Sequence, residues 1–236
     1  MSDQPDTPAT SVTSVTSVTS VPVDLVAEQL RSPDRVISLT DGVFAIVLTI
    51  LVLEIKVPSH LPTRSLQGAF HELRPTFVAW VISFLIIGMY WVAHRDIFAR
   101  VRAVNRDLVW LNLLFLLTTA VIPFAASVFG EYPDARIAVQ LYGLVVTLAS
   151  LMRLALYAYV VKHPDLMVAQ EPGHQTRQGF ILAGVPIVLY LVAIGVASVS
   201  TSASALLLFS VPLIYFGAVT FARDRGGVTS EAEDFS

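Results

Sequence analysis

Apolar residues run in long blocks along most of the chain, and polar residues are confined to the gaps between them. Six blocks, at 36–55, 75–93, 108–129, 137–161, 179–198 and 203–222, are each about twenty residues long. At ~1.5 Å per residue that is the length an α-helix needs to cross ~30 Å of hydrocarbon. The pattern predicts an all-α, multi-pass membrane protein of six transmembrane helices. A small-residue turn, SVSTSAS, separates the fifth and sixth blocks and predicts a tight helical hairpin. Pro123, Pro186 and Pro212 fall inside blocks and predict kinks, because proline frees a carbonyl that neighbouring helices must then satisfy.

The ends do not share this pattern. Residues 1–30 contain a three-residue repeat, SVTSVTSVTSV, preceded by acidic and proline-containing sequence, without the basic and apolar regions of a signal peptide. A segment that cannot bury apolar surface stays disordered, so 1–30 is expected to be a tail, 31–225 the membrane domain and 226–236 a short acidic tail.

Composition sharpens the setting. The chain of 236 residues is 55% hydrophobic and 14% charged, with a mean hydropathy of +0.69, whereas soluble domains carry roughly a quarter charged residues. A net charge of −3 offers no basic field for nucleic acid. With no cysteine there is no disulfide, thiolate nucleophile or thiolate metal site. The sequence contains neither HExxH nor GxSxG, and it has five scattered histidines, of which His60, His71, His163 and His174 are expected in solvent-exposed loops. Those features point away from an enzyme and imply no cofactor or resident metal.

Flanking cations predict the orientation. One side carries Arg31, Arg35, Arg95, Arg100, Arg102, Arg106, Lys162, Arg177, Arg223 and Arg225, which makes 10; the other carries Lys56, Arg64, Arg74 and Arg136, which makes 4. Both termini are therefore expected in the cytoplasm, with the protein in the cell membrane. Arg153, the remaining cation, falls inside the fourth block and is expected to snorkel toward the cytoplasmic boundary or to pair with an acid.

The first block has two faces. Asp41 and Asn112 lie about five residues into outward-running helices and His94 ends an inward-running one, so all three reach a similar depth. A carboxylate there needs hydrogen bonds, from His94, Asn112, Thr40, Ser38 or Trp91, and is expected to anchor the helix. The alternative is a proton relay of Asp41 with His94 in a proton-coupled secondary transporter. At 100° per residue, Leu39, Gly42, Ile50, Leu53 and Val57 fall within about 40° of Ile46, with Thr49 at about 60° and Asp41 roughly 140° away. That stripe faces lipid, another subunit or a water path. Thr49 alone breaks it, and a mid-helix threonine commonly bonds back to its own helix. Glu54, near the outer end, either enriches cations at a mouth or faces a neighbour or headgroups beside Lys56.

The stretch Arg35-x-x-x-Leu39-Thr40-Asp41 resembles the Arg-x-x-x-Phe-Ser-Asp signature that opens the first helix of the endosomal and lysosomal potassium channel family, transmembrane protein 175, particularly its bacterial six-helix members. The similarity continues through DGVFAIVLTILVLEIKVP, through Trp91-Val-Ala-His94-Arg-Asp-Ile-Phe98 and through LVWLNLLFLLTTAVIPF. Leu39 and Thr40 stand where Phe and Ser are usual. The resemblance implies a homotetramer whose first helices line a central pore for potassium, with sodium less favoured. It assigns Ile46, Ile50 and Leu53 to an aliphatic constriction and Thr49 to a polar layer tied to potassium preference. It assigns Arg35, Thr40, Asp41, His94 and Asn112 to a polar network that holds the pore helix to its own subunit. The implied partners are potassium ions, membrane lipid and further copies of the chain.

An aliphatic constriction gates by dewetting, and one helix cannot enclose a pore, so a closed ring of copies is the natural solution. No repeat relates the first three blocks to the last three, as a transporter of the inverted-repeat type would show. A regularly spaced arginine helix and a TVGYG-like filter are both absent from the sequence.

Overall fold

The computed structural model describes residues 32–56, 66–169 and 173–233, with side chains placed as far as 217. The tail 1–30, His60, Val57 and Arg64 lie outside the described residues, as do the side chains of Arg223 and Arg225. Among the described residues eight α-helices appear in chain order: α1 Asp34–Leu53, α2 Leu66–Glu72, α3 Arg74–Phe98, α4 Arg106–Ala120, α5 Ile122–Glu131, α6 Arg136–Lys162, α7 Gly173–Val196 and α8 Thr201–Glu233. Five spans are long and apolar enough to cross a membrane, α4 and α5 together forming one of them, and a shorter apolar helix, Thr201–Gly217, follows.

Local chemistry sets the helix ends. Ser32 accepts from the Asp34 N–H at 3.2 Å ahead of α1, and Asn105 caps α4 by accepting from the Leu108 N–H at 2.9 Å. The third block, expected as one span, is two helices meeting at Val121, with Pro123 in the first turn of the second. Proline at the start of a helix forfeits no intrahelical bond, so the break settles there. Pro186 and Pro212, by contrast, lie inside helices that continue past them.

Pro186 is tolerated for a specific reason. Without its N–H, the carbonyl of Leu182 four residues earlier has no helical partner. Arg153 of α6 supplies one: its Nη2 donates to the carbonyls of Leu182 and Ala183 at 3.4 and 3.1 Å. The guanidinium is buried. It stays inside the bundle and, among the described residues, pairs with no acid, because the carbonyls at Pro186 give it acceptors where it stands.

Helix α6 runs through the middle of the bundle, against α3, α4, α5, α7 and α8, whereas α1 packs on α3, α4 and α5 at the rim. Two hydroxyl pairs tie α3 to α6: Ser83 with Tyr142 at 2.9 Å and Tyr90 with Ser150 at 2.8 Å. Gly130 lets α5 lie directly on α3, where Thr76 donates to its carbonyl at 3.2 Å. The expected hairpin of α7 and α8 turns over 197–200 and is pinned by Ser204 donating to the Ala193 carbonyl at 2.7 Å. At one end of the bundle the α3–α4 and α6–α7 connections form a short antiparallel bridge, Val101 with Met167. Arg102 Nε donates to the Asp165 carbonyl beside it at 3.0 Å. His163 is not simply solvated, since its ring stacks on Tyr159 at 4.0 Å and its Nδ1 meets the Tyr159 carbonyl. His71 and His174 are exposed as expected, but on helices α2 and α7 rather than in loops.

Candidate ion-conduction site

Helix α1 is at once among the most apolar spans and the least covered one: 22% of its apolar window is buried, against 50% for the α4–α5 and α6 spans. Its packed face carries Thr40, Phe44, Val47 and Leu51. Three to four residues separate successive members, which places them on one stripe. On the opposite face Leu39, Ile46, Ile50 and Leu53 are 51%, 59%, 40% and 68% exposed, and Gly42 and Thr49 are exposed among them. The helix therefore presents an aliphatic ridge, interrupted by one hydroxyl, to whatever lies beyond the subunit. Thr49 Oγ1 donates to its own helix, to the carbonyls of Ala45 at 3.0 Å and Ile46 at 2.8 Å. That bond leaves the oxygen's lone pairs free on the exposed side.

The packed face is held by a chain of side-chain bonds. Asn112 Nδ2 of α4 donates to Thr40 Oγ1 at 2.9 Å, and Asn112 Oδ1 meets His94 Nε2 of α3 at 2.8 Å. Because the Asn112 amide spends a donor on Thr40, its oxygen faces the imidazole, and His94 donates through Nε2–H. All three residues are buried. The imidazole lies between Phe98, stacked at 4.3 Å, and Phe115, parallel at 5.8 Å, with Phe44 of α1 at 6.5 Å.

Asp41 belongs to a second contact. Its carboxylate accepts from Trp91 Nε1 at 2.8 Å, and among the described residues neither His94 nor Asn112 bonds to it. Asp41 is exposed on the single subunit, one residue around the helix from Thr40. Trp91 also carries the Arg95 guanidinium 5.7 Å over its ring. Arg35 is exposed, and among the described residues it bonds to neither contact. The sequence grouped Arg35, Thr40, Asp41, His94 and Asn112 in one network, of which the described residues join Thr40, Asn112 and His94 and give Asp41 to Trp91; the stacking of Phe44, Phe98 and Phe115 on the imidazole was not among the expected contacts. The i, i+4 spacing of His94 and Phe98 was the available signal.

Beside the ridge, a recess of about 400 Å³ runs between α1 and the α4–α5 break, lined by Val43, Ile46, Val47, Ile50 and Phe124 with Glu54 at its end. Glu54 and Ser127 also line an adjoining polar recess of about 350 Å³ with Lys56, Thr76 and Glu131. The polar recess lies where α1 and α5 end and α3 begins.

These features define a multi-pass helical membrane protein whose first helix is fastened by one face and left apolar and unpartnered on the other. Residues 35–123 match the family model described as endosomal/lysosomal potassium channel TMEM175. A potassium channel of Streptomyces collinus is 35% identical over 173 residues, covering 70% of this chain and 82% of that one. The crystal structure of a lysosomal potassium-selective channel TMEM175 homolog from Chamaesiphon minutus superposes with a TM-score of 0.69 at 29% identity, covering 77% of this chain and 95% of that one. The human endosomal/lysosomal proton channel TMEM175 is 32% identical over 157 residues, which span 60% of this chain and 31% of that one. The chain belongs to the TMEM175 family, a family of ion channels rather than of enzymes.

Proposed function

We propose that the chain is a potassium-permeable channel of the cell membrane, assembled as a ring of four copies with α1 of each lining the axis. The observation that carries this reading is the exposed ridge of Ile46, Ile50 and Leu53 opposite the packed face of α1. An apolar ridge on a rim helix, repeated around an axis, makes a neck that excludes water until it widens. The Thr49 oxygens form a layer within that neck, replacing part of an ion's hydration without trapping it. Glu54 raises cation concentration at the mouth. The names of the Streptomyces and Chamaesiphon relatives agree with potassium as the permeant ion.

A proton relay through Asp41 and His94 has less support. The carboxylate accepts from an indole N–H and the imidazole donates to an amide, and neither an indole nor an amide passes a proton on readily. The three side chains Thr40, His94 and Asn112, with Asp41 on Trp91, act as fasteners that hold the pore helix against its own subunit.

The test is reversal potentials and basal current in planar bilayers. Replacing Ile46, Ile50 or Leu53 singly with Asn wets the neck and raises basal cation current severalfold. On a lipid-facing ridge the same change only destabilises, by about 1–3 kcal/mol. Thr49→Ala keeps current but shifts the reversal potential toward equal potassium and sodium permeability. Unchanged current in the Asn variants together with unchanged selectivity in Thr49→Ala removes α1 from the pore.

A further inference from the structure

The two recesses beside α1 adjoin, since Glu54 and Ser127 line both, but they differ in character. The larger, about 400 Å³, is walled by Val43, Val47 and Phe124 with the edges of Ile46 and Ile50. The smaller, about 350 Å³, gathers Glu54, Lys56 and Glu131 with Thr76 and Ser127. Val43 and Glu54 stand eleven residues apart on α1, or about 16 Å at ~1.5 Å per residue, which is half of the ~30 Å hydrocarbon thickness. The apolar recess is therefore one leaflet deep. It ends in the polar recess where α1 and α5 stop and α3 starts, the level at which lipid headgroups lie. At 100° per residue Val43, Val47 and Glu54 fall about 60–100° to one side of Ile46, with Thr49 and Leu53 on the other, so the recess opens beside the ridge. Among the described residues no ion pair joins Lys56 to Glu54 or Glu131. The Tyr132 phenol beside Glu131 is held above its usual range by a hydrogen bond to that carboxylate and by its charge, which stays in place.

We infer that the two recesses form a site for one phospholipid with a primary-amine headgroup, phosphatidylethanolamine. Its ammonium faces Glu54 and Glu131, its phosphate faces Lys56, and one acyl chain lies along Val43, Val47 and Phe124. Only an amphiphile answers both recesses at once, and a lipid carries an apolar chain of one leaflet's length beneath its head. The charges choose among lipids. Two carboxylates against one ammonium repel an anionic headgroup such as phosphatidylglycerol. The quaternary ammonium of phosphatidylcholine has no N–H to give them, whereas a primary ammonium donates to both carboxylates and to the Ser127 hydroxyl. Seated there, the chain fills the gap between α1 and the α4–α5 break and steadies α1 against its own subunit.

The experiment is thermal unfolding of the purified full-length protein in detergent, followed by tryptophan fluorescence, with dioleoyl phosphatidylethanolamine, phosphatidylcholine or phosphatidylglycerol added. Phosphatidylethanolamine raises the midpoint saturably, by about 3 °C or more beyond either of the others. Glycerophosphoethanolamine, the same headgroup without chains, gives no rise. Ala120→Trp fills the apolar recess and removes the response. In the double variant Glu54→Gln/Glu131→Gln, Lys56 is left as the charge of the polar recess, and the order reverses in favour of phosphatidylglycerol. If Ala120→Trp does not fold, the double variant decides alone. Equal midpoints in the three lipids overturn the site, as does a full rise with glycerophosphoethanolamine or in a folded Ala120→Trp, or an unchanged lipid order in the double variant. None of these outcomes depends on whether α1 conducts potassium.

Discussion

Asn112 ties two helices to its own, because its amide bonds α3 through His94 and α1 through Thr40 at once. Truncating it leaves a buried imidazole N–H and a buried hydroxyl without partners, each costing about 1–3 kcal/mol. Asn112→Ala is accordingly expected to lower the thermal midpoint and the yield of assembled protein while leaving ion selectivity intact in the fraction that assembles. Asp41 answers differently. Asp41→Asn retains an acceptor for Trp91 Nε1 and is expected to be mild, whereas Asp41→Ala removes the contact and is expected to match Asn112→Ala in assembled yield. Size-exclusion profiles of the three variants check the ranking. A well-assembled Asp41→Asn protein with abolished proton flux would count for the relay instead.

Helices in a membrane associate through close packing and through hydrogen bonds that satisfy exposed backbone, since lipid is as apolar as their side chains. Two contacts here depend on that. A Cβ added at Gly130 falls 2.8 Å from the Thr76 Cα, a backbone atom that cannot swing aside. Gly130→Ala is expected to push α5 off α3 and to destabilise by about 1–3 kcal/mol, measured as a shift in the thermal midpoint. The second contact is Arg153 at Pro186. Pro186→Ala restores the missing N–H and lets the Leu182 carbonyl bond within α7, so Arg153→Met is expected to cost less in that background. A double-mutant cycle on thermal stability is expected to give a coupling of about 1 kcal/mol or more. Strict additivity would show that the arginine braces something other than the proline break.

For the molecule as a whole, an apolar span that is 22% buried in its own subunit has two ways to be covered, by lipid or by other copies of itself. The channel reading requires the second, with closed four-fold symmetry. Native mass measurement in mild detergent is expected to give the mass of four chains of 25.7 kDa, and a monomer alone removes the shared pore. The excess of cations on the loops beside both termini, 10 against 4, predicts cytoplasmic termini. A C-terminal reporter active only on the outside reverses that orientation.

Much of this architecture was legible along the chain. Hydrophobic block length marks the spans and their approximate bounds, because a bilayer allows few ways to satisfy a backbone, and helical period set the α1 ridge away from Asp41 before any neighbour was known. Depth arithmetic likewise brought Asp41, His94 and Asn112 to one level. Period and depth cannot name the bonding partner among several candidates at that level, and so Trp91 rather than His94 took the Asp41 carboxylate only once α3 had a definite rotation. The same holds for Arg153. Its burial against α7 depends on a carbonyl freed by a proline 33 residues later in sequence. Local pattern determines which groups need a partner, whereas tertiary packing, through distance and direction, decides which partner they find.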